Sequence, residues 1–259
     1  MAVYLKSQED IAIMREAGRI VARTLEAMRK AVAPGVTTAE LDAVAADVIR
    51  SHNAVPTFLH YAPRPDLPPY PAVITACINE ELVHAIPGPR KLKEGDVISL
   101  DVGATYKGFV GDAAFSMGVG RVSEEVERLL AVTERALYEG IRASRPGNRT
   151  RDVAVAIQEY VESHGFNVAR EYGGHGVGRK MHEDLHIPNW APKRRRRYPG
   201  VELRPGMTYA IEPMVMLGRP ETRVLDDRWT VVTADGSLCA HFEHTIAITD
   251  GDPQILTLL

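Results

Sequence analysis

Apolar residues at helical spacing predict two helices in the first fifty residues. The first is predicted to begin after Ser7, where acidic residues fill the opening turn, and to stop at Pro34. Thr37 and Glu40 have the spacing of a capping box, in which each residue bonds the backbone of the other. A second apolar stripe follows them and ends near Asn53. The sequence therefore opens with a helix pair.

The same arrangement returns later in the chain. A long helix is predicted from Ser123 to a stop at Pro146, and another begins at Thr150. Three matches share one displacement of 112 residues: Pro34-Gly35 with Pro146-Gly147, Thr38 with Thr150, and Ser51-His52 with Ser163-His164. We interpret this spacing as a duplicated half, with halves of about 1–120 and 121–259, rather than as a short-period repeat array.

Each helix pair is followed by segments that are typical of β-strands. These segments cover residues 72 to 119 and roughly 201 to 249, and glycine and proline punctuate them. Runs of strands after runs of helices predict an α+β fold with helices on one face of a central antiparallel sheet. No linker is long or polar enough to separate the halves, so we expect one domain over residues 1–259.

Composition narrows the class of protein. With 259 residues, of which 45% are hydrophobic, the chain can bury roughly 70 to 75% of its unfolded surface. A formal charge of -3 argues against a general nucleic-acid binder. Two cysteines, Cys77 and Cys239, and no signal-peptide pattern favour a reducing, cytoplasmic setting. No segment approaches the ~18 apolar residues that a membrane span needs.

Two aspartates, Asp101 and Asp112, lie in what we interpret as one β-hairpin. If Tyr106 and Lys107 form the turn, the two carboxylates stand directly opposite each other; if Lys107 and Gly108 form it, they are diagonal neighbours on one face. Either register places like charges within about 5 to 8 Å, which is destabilising unless a cation lies between them. The alternative is that one aspartate simply ends a strand at the surface.

Three further candidate ligands lie in apolar or glycine-rich surroundings. Four glycines surround His175, and we expect their torsional freedom to aim the imidazole from a loop. The proline after Glu212 restricts that residue to extended torsions and predicts that it lies on a strand. Period-two alternation places Glu243 on one face with His241 and places His244 on the opposite face, so His244 is not expected to be a ligand.

Four carboxylates among apolar neighbours need compensation, because a buried charge must be paired or coordinated. No matching set of Lys or Arg accompanies them in the sequence. Oxygen donors with a single imidazole suit Mn²⁺, Fe²⁺ or Co²⁺ and differ from the cysteine-rich pattern of structural zinc. Bridging carboxylates would hold two divalent metal ions ~3.5 to 4 Å apart, close enough to share one activated water.

These residues resemble the ligand set of the type I methionine aminopeptidases, whose duplicated architecture is called the pita-bread fold. The resemblance covers nearly the whole chain and rests on five ordered motifs: residues 79–87, the hairpin of residues 101–112, the glycine-rich segment around His175, residues 206–214 and residues 242–245. Type II enzymes carry a long insertion in the second half. The spacing from His182 to Glu212 leaves no room for one.

The resemblance implies an activity and a set of roles. The activity is metal-dependent removal of the N-terminal methionine from nascent proteins and peptides, with a preference for a small second residue. Asp112, His175, Glu212 and Glu243 would bind one metal, and Asp101 with the bridging Asp112 and Glu243 would bind the second. The shared water would be the nucleophile and Glu212 would accept its proton. His84 would stabilise the intermediate or the departing amide, and His182 would contact the peptide backbone.

Selection of methionine needs an apolar pocket, and the resemblance assigns it to Tyr70, Thr75, Met181 and Trp229. A thioether against an aromatic ring is a favourable contact. Thr75 stands where the family often has cysteine, and Met181 stands where phenylalanine is frequent, so the sequence leaves the shape of the pocket open. The alternative for Tyr70 and Trp229 is a place in the core without a binding role.

One charge run stands out, Lys193-Arg194-Arg195-Arg196-Arg197. Most such runs are solvated loops. The alternative is contact with ribosomal RNA, because the resemblance implies nascent chains as substrates.

Two rival functions remain on the same fold, an aminopeptidase or dipeptidase that cleaves before proline and a non-catalytic binding module. We expect the protein to be a monomer.

Overall fold

Four α-helices form as two pairs. The computed structural model describes residues 3–259, and the side chain of Arg195 lies outside the described part. Ser7 and Thr37 cap the first two helices through reciprocal bonds with Asp10 and Glu40, which confirms the predicted helix starts. The helices are α1 Gln8–Ala31, α2 Thr38–Ser51, α3 Glu124–Ala143 and α4 Thr150–Ser163.

The helix pairs follow the predicted displacement along the chain. α2 and α4 each contain 14 residues, and both of their ends differ by 112 positions. The residues that follow them repeat a hydrogen bond: Nδ1 of His52 lies 2.9 Å from the carbonyl oxygen of Val48, and Nδ1 of His164 lies 2.8 Å from that of Tyr160. The duplication therefore extends to side-chain contacts, whereas the single-domain assignment stays a prediction.

The strands form one large and two small antiparallel sheets. The large sheet has nine strands in the order β1-β4-β5-β14-β9-β7-β8, with β2 on β4 and β15 on β14. The small sheets have the orders β13-β10-β6 and β11-β12-β3. The strands are β1 Val55–Pro56, β2 Ile74–Ile78, β3 Glu81–Val83, β4 Val97–Tyr106, β5 Phe109–Gly118, β6 Asn167–Val168, β7 Gly173–Gly176, β8 Glu183–Pro188, β9 Thr208–Ile211, β10 Met214–Met216, β11 Thr222–Val224, β12 Val231–Thr233, β13 Cys239–His241, β14 Glu243–Ala247 and β15 Gln254–Ile255.

Strands of the second half begin earlier than the sequence predicted. β6, β7 and β8 precede residue 201, where the predicted strand region starts. β6 has only two residues, and three of the four residues of β7 are glycine, which contributes no apolar side chain to a period-two pattern. A one-turn 3-10 helix, Arg195–Arg197, follows β8.

The hairpin of β4 and β5 has the second of the two registers considered above. Tyr106 pairs with Phe109, so Lys107 and Gly108 form the turn, and both have positive φ, as a type I′ turn requires. Asp112 pairs with Gly103 and lies diagonally from Asp101 on the same face. The two carboxylates therefore meet on one surface of the sheet.

Helices cover the opposite face of that sheet. A Cβ on Gly111 of β5 would lie 2.7 Å from the amide nitrogen of Gly18 in α1, so the helix rests directly on the strand. Leu100 and Val102 join the helix-covered hydrophobic core, and alternation turns Asp101 to the other side. Among residues 3–259, no helix has both the length and the apolar character that crossing a bilayer requires.

Candidate active site

A cavity of about 430 Å³ gathers every site residue that the sequence predicted. It holds the five predicted metal ligands, both predicted substrate histidines and the four predicted pocket residues. The lining residues are Phe58, Tyr61, Pro63, Tyr70, Thr75, His84, Asp101, Asp112, His175, Met181, His182, Glu212, Trp229 and Glu243.

Neighbouring strands bring the five predicted ligands together. β14 pairs with β5 on one side and with β9 on the other, and β9 pairs with β7. Asp112 lies on β5, Glu243 is the first residue of β14, Glu212 directly follows β9, and His175 lies on β7. Asp101 comes from β4, the partner of β5. The sequence predicted that Glu212 lies on a strand. The structure places it one residue beyond the end of β9, so that prediction was wrong.

The glycines around His175 act differently from what the sequence suggested. His175 lies on β7, not in a loop, and none of its flanking glycines has a positive φ. A Cβ on Gly174 would lie 2.1 Å from the carbonyl oxygen of Ala210 in β9, and one on Gly173 would lie 2.8 Å from that of Ile187 in β8. The prediction of unusual torsions was wrong. These glycines permit close packing of neighbouring strands.

His175 faces two carboxylates at short range. Its Nε2 lies 3.7 Å from Oδ2 of Asp112 and 3.6 Å from Oε1 of Glu212. Its Nδ1 lies 3.1 Å from the carbonyl oxygen of Gly176, which leaves Nε2 directed at the acidic groups. Donor atoms of Asp112, His175 and Glu243 all lie within 4.8 Å of one another. This spacing is compatible with coordination of one ion by the three side chains.

Burial makes the acidic groups costly to ionise. It raises the pKa of Asp101 to about 7 and that of Glu212 to about 8. It also raises the pKa of Asp112 and Glu243 well above the usual range, and it lowers that of His175 well below. Among the described residues, no Lys or Arg lines the cavity. The site is therefore a cluster of acids with no protein cation to balance it.

Several oxygen atoms in this cluster lack a hydrogen-bond partner. Oδ1 of Asp101, Oδ1 of Asp112 and Oε1 of Glu243 are buried, and no described residue donates to them. Orphaned acceptors of this kind are rare in folded proteins and call for a ligand. Four carboxylates and one imidazole form an oxygen-rich donor set that fits divalent transition-metal ions.

The two aromatic residues of the predicted methionine pocket have their polar atoms bonded to backbone carbonyl oxygens. The Tyr70 hydroxyl donates to the carbonyl oxygens of Ile74 and Ala85 at 2.9 Å each, and Nε1 of Trp229 donates to that of Pro68 at 3.1 Å. The rings of Tyr70 and Trp229 meet edge to face with centroids 5.1 Å apart. Thr75 and Met181 are also buried and line the same cavity.

The two predicted substrate histidines have lowered pKa values. Burial lowers the pKa of His84 to about 4, and desolvation by the cavity wall lowers that of His182, whose side chain also reaches the surface. His84 has a φ of 64°, and its ring lies 6.4 Å from that of Trp229. His182 stacks on Tyr61, whose hydroxyl lies 2.6 Å from Nδ1 of His182, and its ring centroid lies 4.0 Å from that of His175.

Two neighbours of the site were not predicted as site residues. Buried His241 places Nε2 3.6 Å from Oε2 of Glu212, so the two carboxylate oxygens of Glu212 face two different imidazoles. The period-two pattern already placed His241 with Glu243 and was the available signal. Tyr61 supports His182 from residues between β1 and β2, and no local pattern marks it.

The basic run lies away from this cavity. Lys193, Arg194, Arg196 and Arg197 are exposed, and the side chain of Arg195 lies outside the described part. None of the four described side chains lines the cavity. The described side chains of the run are therefore not part of the cavity wall.

Comparisons with known proteins match nearly the whole chain to one family. The model of metallopeptidase family M24 matches residues 12–250. The chain is 48% identical over 255 residues to methionine aminopeptidase 1 of Bacillus subtilis, which covers 98% of this chain and 99% of the relative. The solved structure of methionine aminopeptidase from Thermotoga maritima matches with a TM-score of 0.93 at 43% identity and covers 100% of both chains. The predicted pita-bread fold is thereby confirmed.

A more distant structure matches in fold alone. The Xaa-Pro dipeptidase from Bacillus anthracis has a TM-score of 0.75 at 21% identity, with 98% of this chain but only 61% of that chain covered.

Proposed function

Because the chain belongs to metallopeptidase family M24, and within it to the methionine aminopeptidases, we propose that it removes the N-terminal methionine from peptides and nascent proteins and prefers a small second residue. One observation supports this proposal above all: a single cavity contains both a buried cluster of acids and imidazole and an apolar aromatic pocket. The cluster suits hydrolysis, and the pocket suits a thioether side chain.

We propose that the cluster holds two divalent ions, for which Mn²⁺, Fe²⁺ and Co²⁺ are the candidates. Asp112, His175, Glu212 and Glu243 would hold one ion, and Asp101 would hold the second with the bridging Asp112 and Glu243. The orphaned oxygens of Asp101, Asp112 and Glu243 support this assignment. Bound metal supplies an activated water and a positive charge near the scissile carbonyl.

Glu212 is the proposed proton acceptor. Its Oε1 faces His175 and its Oε2 faces His241, so the carboxylate is held between two rings. In the metal-free protein burial raises its pKa to about 8. With divalent ions bound, the ionised carboxylate would be able to take a proton from the attacking water and later release it to the leaving amine.

His84 and His182 are proposed to bind the substrate backbone. The lowered pKa of both side chains favours the neutral imidazole, which can donate one N–H to a carbonyl oxygen without bringing a full charge into the cavity. The close hydroxyl of Tyr61 restrains the ring of His182 and presents its other edge to the cavity. Tyr70, Thr75, Met181 and Trp229 would surround the methionine side chain.

Metal-free enzyme titrated separately with Mn²⁺, Fe²⁺ and Co²⁺ tests this function. We expect at least one ion to restore release of methionine from Met-Ala-Ser and none to support cleavage of Ala-Pro. Cleavage of Ala-Pro in place of Met-Ala-Ser would instead support a proline-directed enzyme. No hydrolysis of either peptide with any of the three ions would support a non-catalytic binding module.

The ribosome contact is a separate part of the proposal. The exposed positions of Lys193, Arg194, Arg196 and Arg197 leave the run accessible to a phosphate backbone. Neutral replacement of the run should reduce co-sedimentation with ribosomes and spare hydrolysis of Met-Ala-Ser; unchanged co-sedimentation would reject the contact. The cytoplasmic setting and the monomeric state stay predictions.

A further inference from the structure

A second cavity of about 370 Å³ adjoins the active-site cavity, and His182 lines both. Its wall includes the N-terminal segment and residues 179–184. Its charged lining residues are Lys6, Asp10, Arg179, Lys180, Glu183 and Asp184. None of these six residues lines the active-site cavity.

The chain connectivity joins the two cavities closely. Met181 lies in the predicted methionine pocket, His182 lies between the cavities, and Lys180 lies in the second one. The amide of Gly178 donates to the carbonyl oxygen of Lys180 at 3.2 Å and closes a tight turn. Residues 180–182 therefore run from the second cavity to the methionine pocket, so the two sites lie next to each other.

A bound peptide has to leave the active-site cavity on one side. Tyr70, Thr75 and Trp229 are buried, so the peptide cannot leave through the methionine pocket. The lining residues that reach the surface include Pro63 and His182. An extended chain advances about 3.3–3.6 Å per residue, so its third and fourth residues lie roughly 7 to 10 Å beyond the methionine. If the chain leaves on the His182 side, these residues reach the second cavity, because His182 lines both cavities.

The second cavity offers fixed polar walls and one unpaired cation. The ammonium of Lys6 pairs with the carboxylate of Glu183, and both side chains are almost fully buried. Arg179 stacks on the ring of Phe109 at 4.2 Å and approaches Asp10 at 3.7 Å. Exposed Lys180 forms no ion pair with any side chain that the structure describes. Its ammonium is therefore available to a ligand.

We propose that this second cavity binds the substrate polypeptide from its third residue onward, and that Lys180 favours an acidic side chain at the third or fourth position. The inference rests on the proposed aminopeptidase function and adds a preference that the metal cluster and methionine pocket do not supply. An exposed ion pair contributes little, so we expect a two- to fivefold effect that weakens as salt is raised.

Hydrolysis rates of three substrates test the inference on the metal-loaded enzyme. The substrates are the tripeptide Met-Ala-Ser and two otherwise identical octapeptides, Met-Ala-Asp-Asp and Met-Ala-Lys-Lys, each followed by the same four neutral residues. We expect kcat/KM for the acidic octapeptide to exceed that for the basic one by about two- to fivefold at low salt. Lys180→Glu should reverse this ratio. Lys93→Glu, the same charge change on an exposed residue that lines neither cavity, should leave the ratio unchanged.

The outcomes separate this inference from the function on which it rests. Cleavage of Met-Ala-Ser with equal rates for the two octapeptides, or equal ratios for Lys180→Glu and the wild type, overturns the second-cavity proposal alone. Failure to cleave all three peptides overturns the aminopeptidase function itself. A reversal in the Lys93→Glu variant as well would assign the preference to net charge and would also overturn the proposed site.

Discussion

Replacing Gly174 by alanine should separate two strands of the active site. Gly174 lies on β7 beside His175, and a Cβ there would meet the carbonyl oxygen of Ala210 in β9 at 2.1 Å. Ordinary contacts of this kind begin at 3.4 Å. The obstacle is backbone, so no side chain can rotate away. The two strands would have to move apart by roughly 1 Å to accommodate the methyl group.

The cost can be worked out from this displacement. Overpacking of a buried site costs about 1 to 3 kcal/mol. Weakening the neighbouring bond from the amide of Val177 to the carbonyl oxygen of Thr208, now 3.2 Å, adds about 0.5 to 1.5 kcal/mol. We therefore expect a loss of about 1.5 to 4.5 kcal/mol in the free energy of unfolding. A typical domain has about 5 to 15 kcal/mol, so the variant should still fold.

In Gly174→Ala, kcat/KM should fall by more than the loss in the free energy of unfolding alone would produce. The displaced strand carries His175, whose Nε2 now lies 3.6 Å from Glu212. A misplacement of about 1 Å costs on the order of 100-fold in rate. Urea unfolding and kcat/KM for Met-Ala-Ser measure the two effects on the same preparation. Gly88→Ala is the matched control, because a Cβ at Gly88 meets nothing within 4 Å.

One result would refute the reasoning about strand packing. If Gly174→Ala unfolds at the same urea concentration as Gly88→Ala and hydrolyses Met-Ala-Ser at the wild-type rate, the close approach of β7 to β9 does not position His175. A loss of stability without a loss of rate would show that the fold absorbs the methyl group away from the site.

Three further predictions concern the acidic cluster. Asp112→Asn should lower kcat/KM for Met-Ala-Ser by more than about 1000-fold while circular dichroism stays native, because it removes a proposed shared ligand; near-normal activity would contradict that role. His241→Leu should lower kcat by about tenfold with little change in KM, and His241→Gln should recover part of the loss, since Nε2 lies 3.6 Å from Glu212; equal losses in both variants would argue for a packing role. In metal-free protein the pKa values of Asp101 and Glu212 are raised above those of the unfolded chain, so the stability that these two groups contribute is fully present below about pH 4 and is lost as pH rises through about 7 to 8. Calorimetry should show the melting temperature falling from pH 5 to pH 9 and recovering with Mn²⁺, and a flat profile would contradict it.

Local features were predictable because their causes lie within a few residues. The caps at Ser7 and Thr37 need only the carboxylates of Asp10 and Glu40, and both helices begin where these pairs predict. The displacement of 112 residues is also a property of the sequence alone, and it sets the bounds of α2 and α4. The identities of the acids and the imidazole were enough to suggest a metal cluster.

Features that depend on distant segments were left open or predicted wrongly. The sequence allowed two registers for the Asp101–Asp112 hairpin, and the positive φ of both Lys107 and Gly108 selects the diagonal one. It assigned the glycines near His175 to unusual torsions, whereas the backbone of β9, more than thirty residues away in sequence, explains them. Strand-to-strand approach is a long-range property that no local pattern encodes.

By itself, then, the sequence determined which chemical groups the chain carries, where its helices begin and that it repeats itself once. Tertiary structure alone decided that Oε2 of Glu212 faces His241, that Tyr61 restrains His182, and that a second cavity adjoins the first across His182. The physical reason is range: a helix cap is a contact over three residues, whereas a cavity exists only after strands far apart in sequence have paired and excluded water between them.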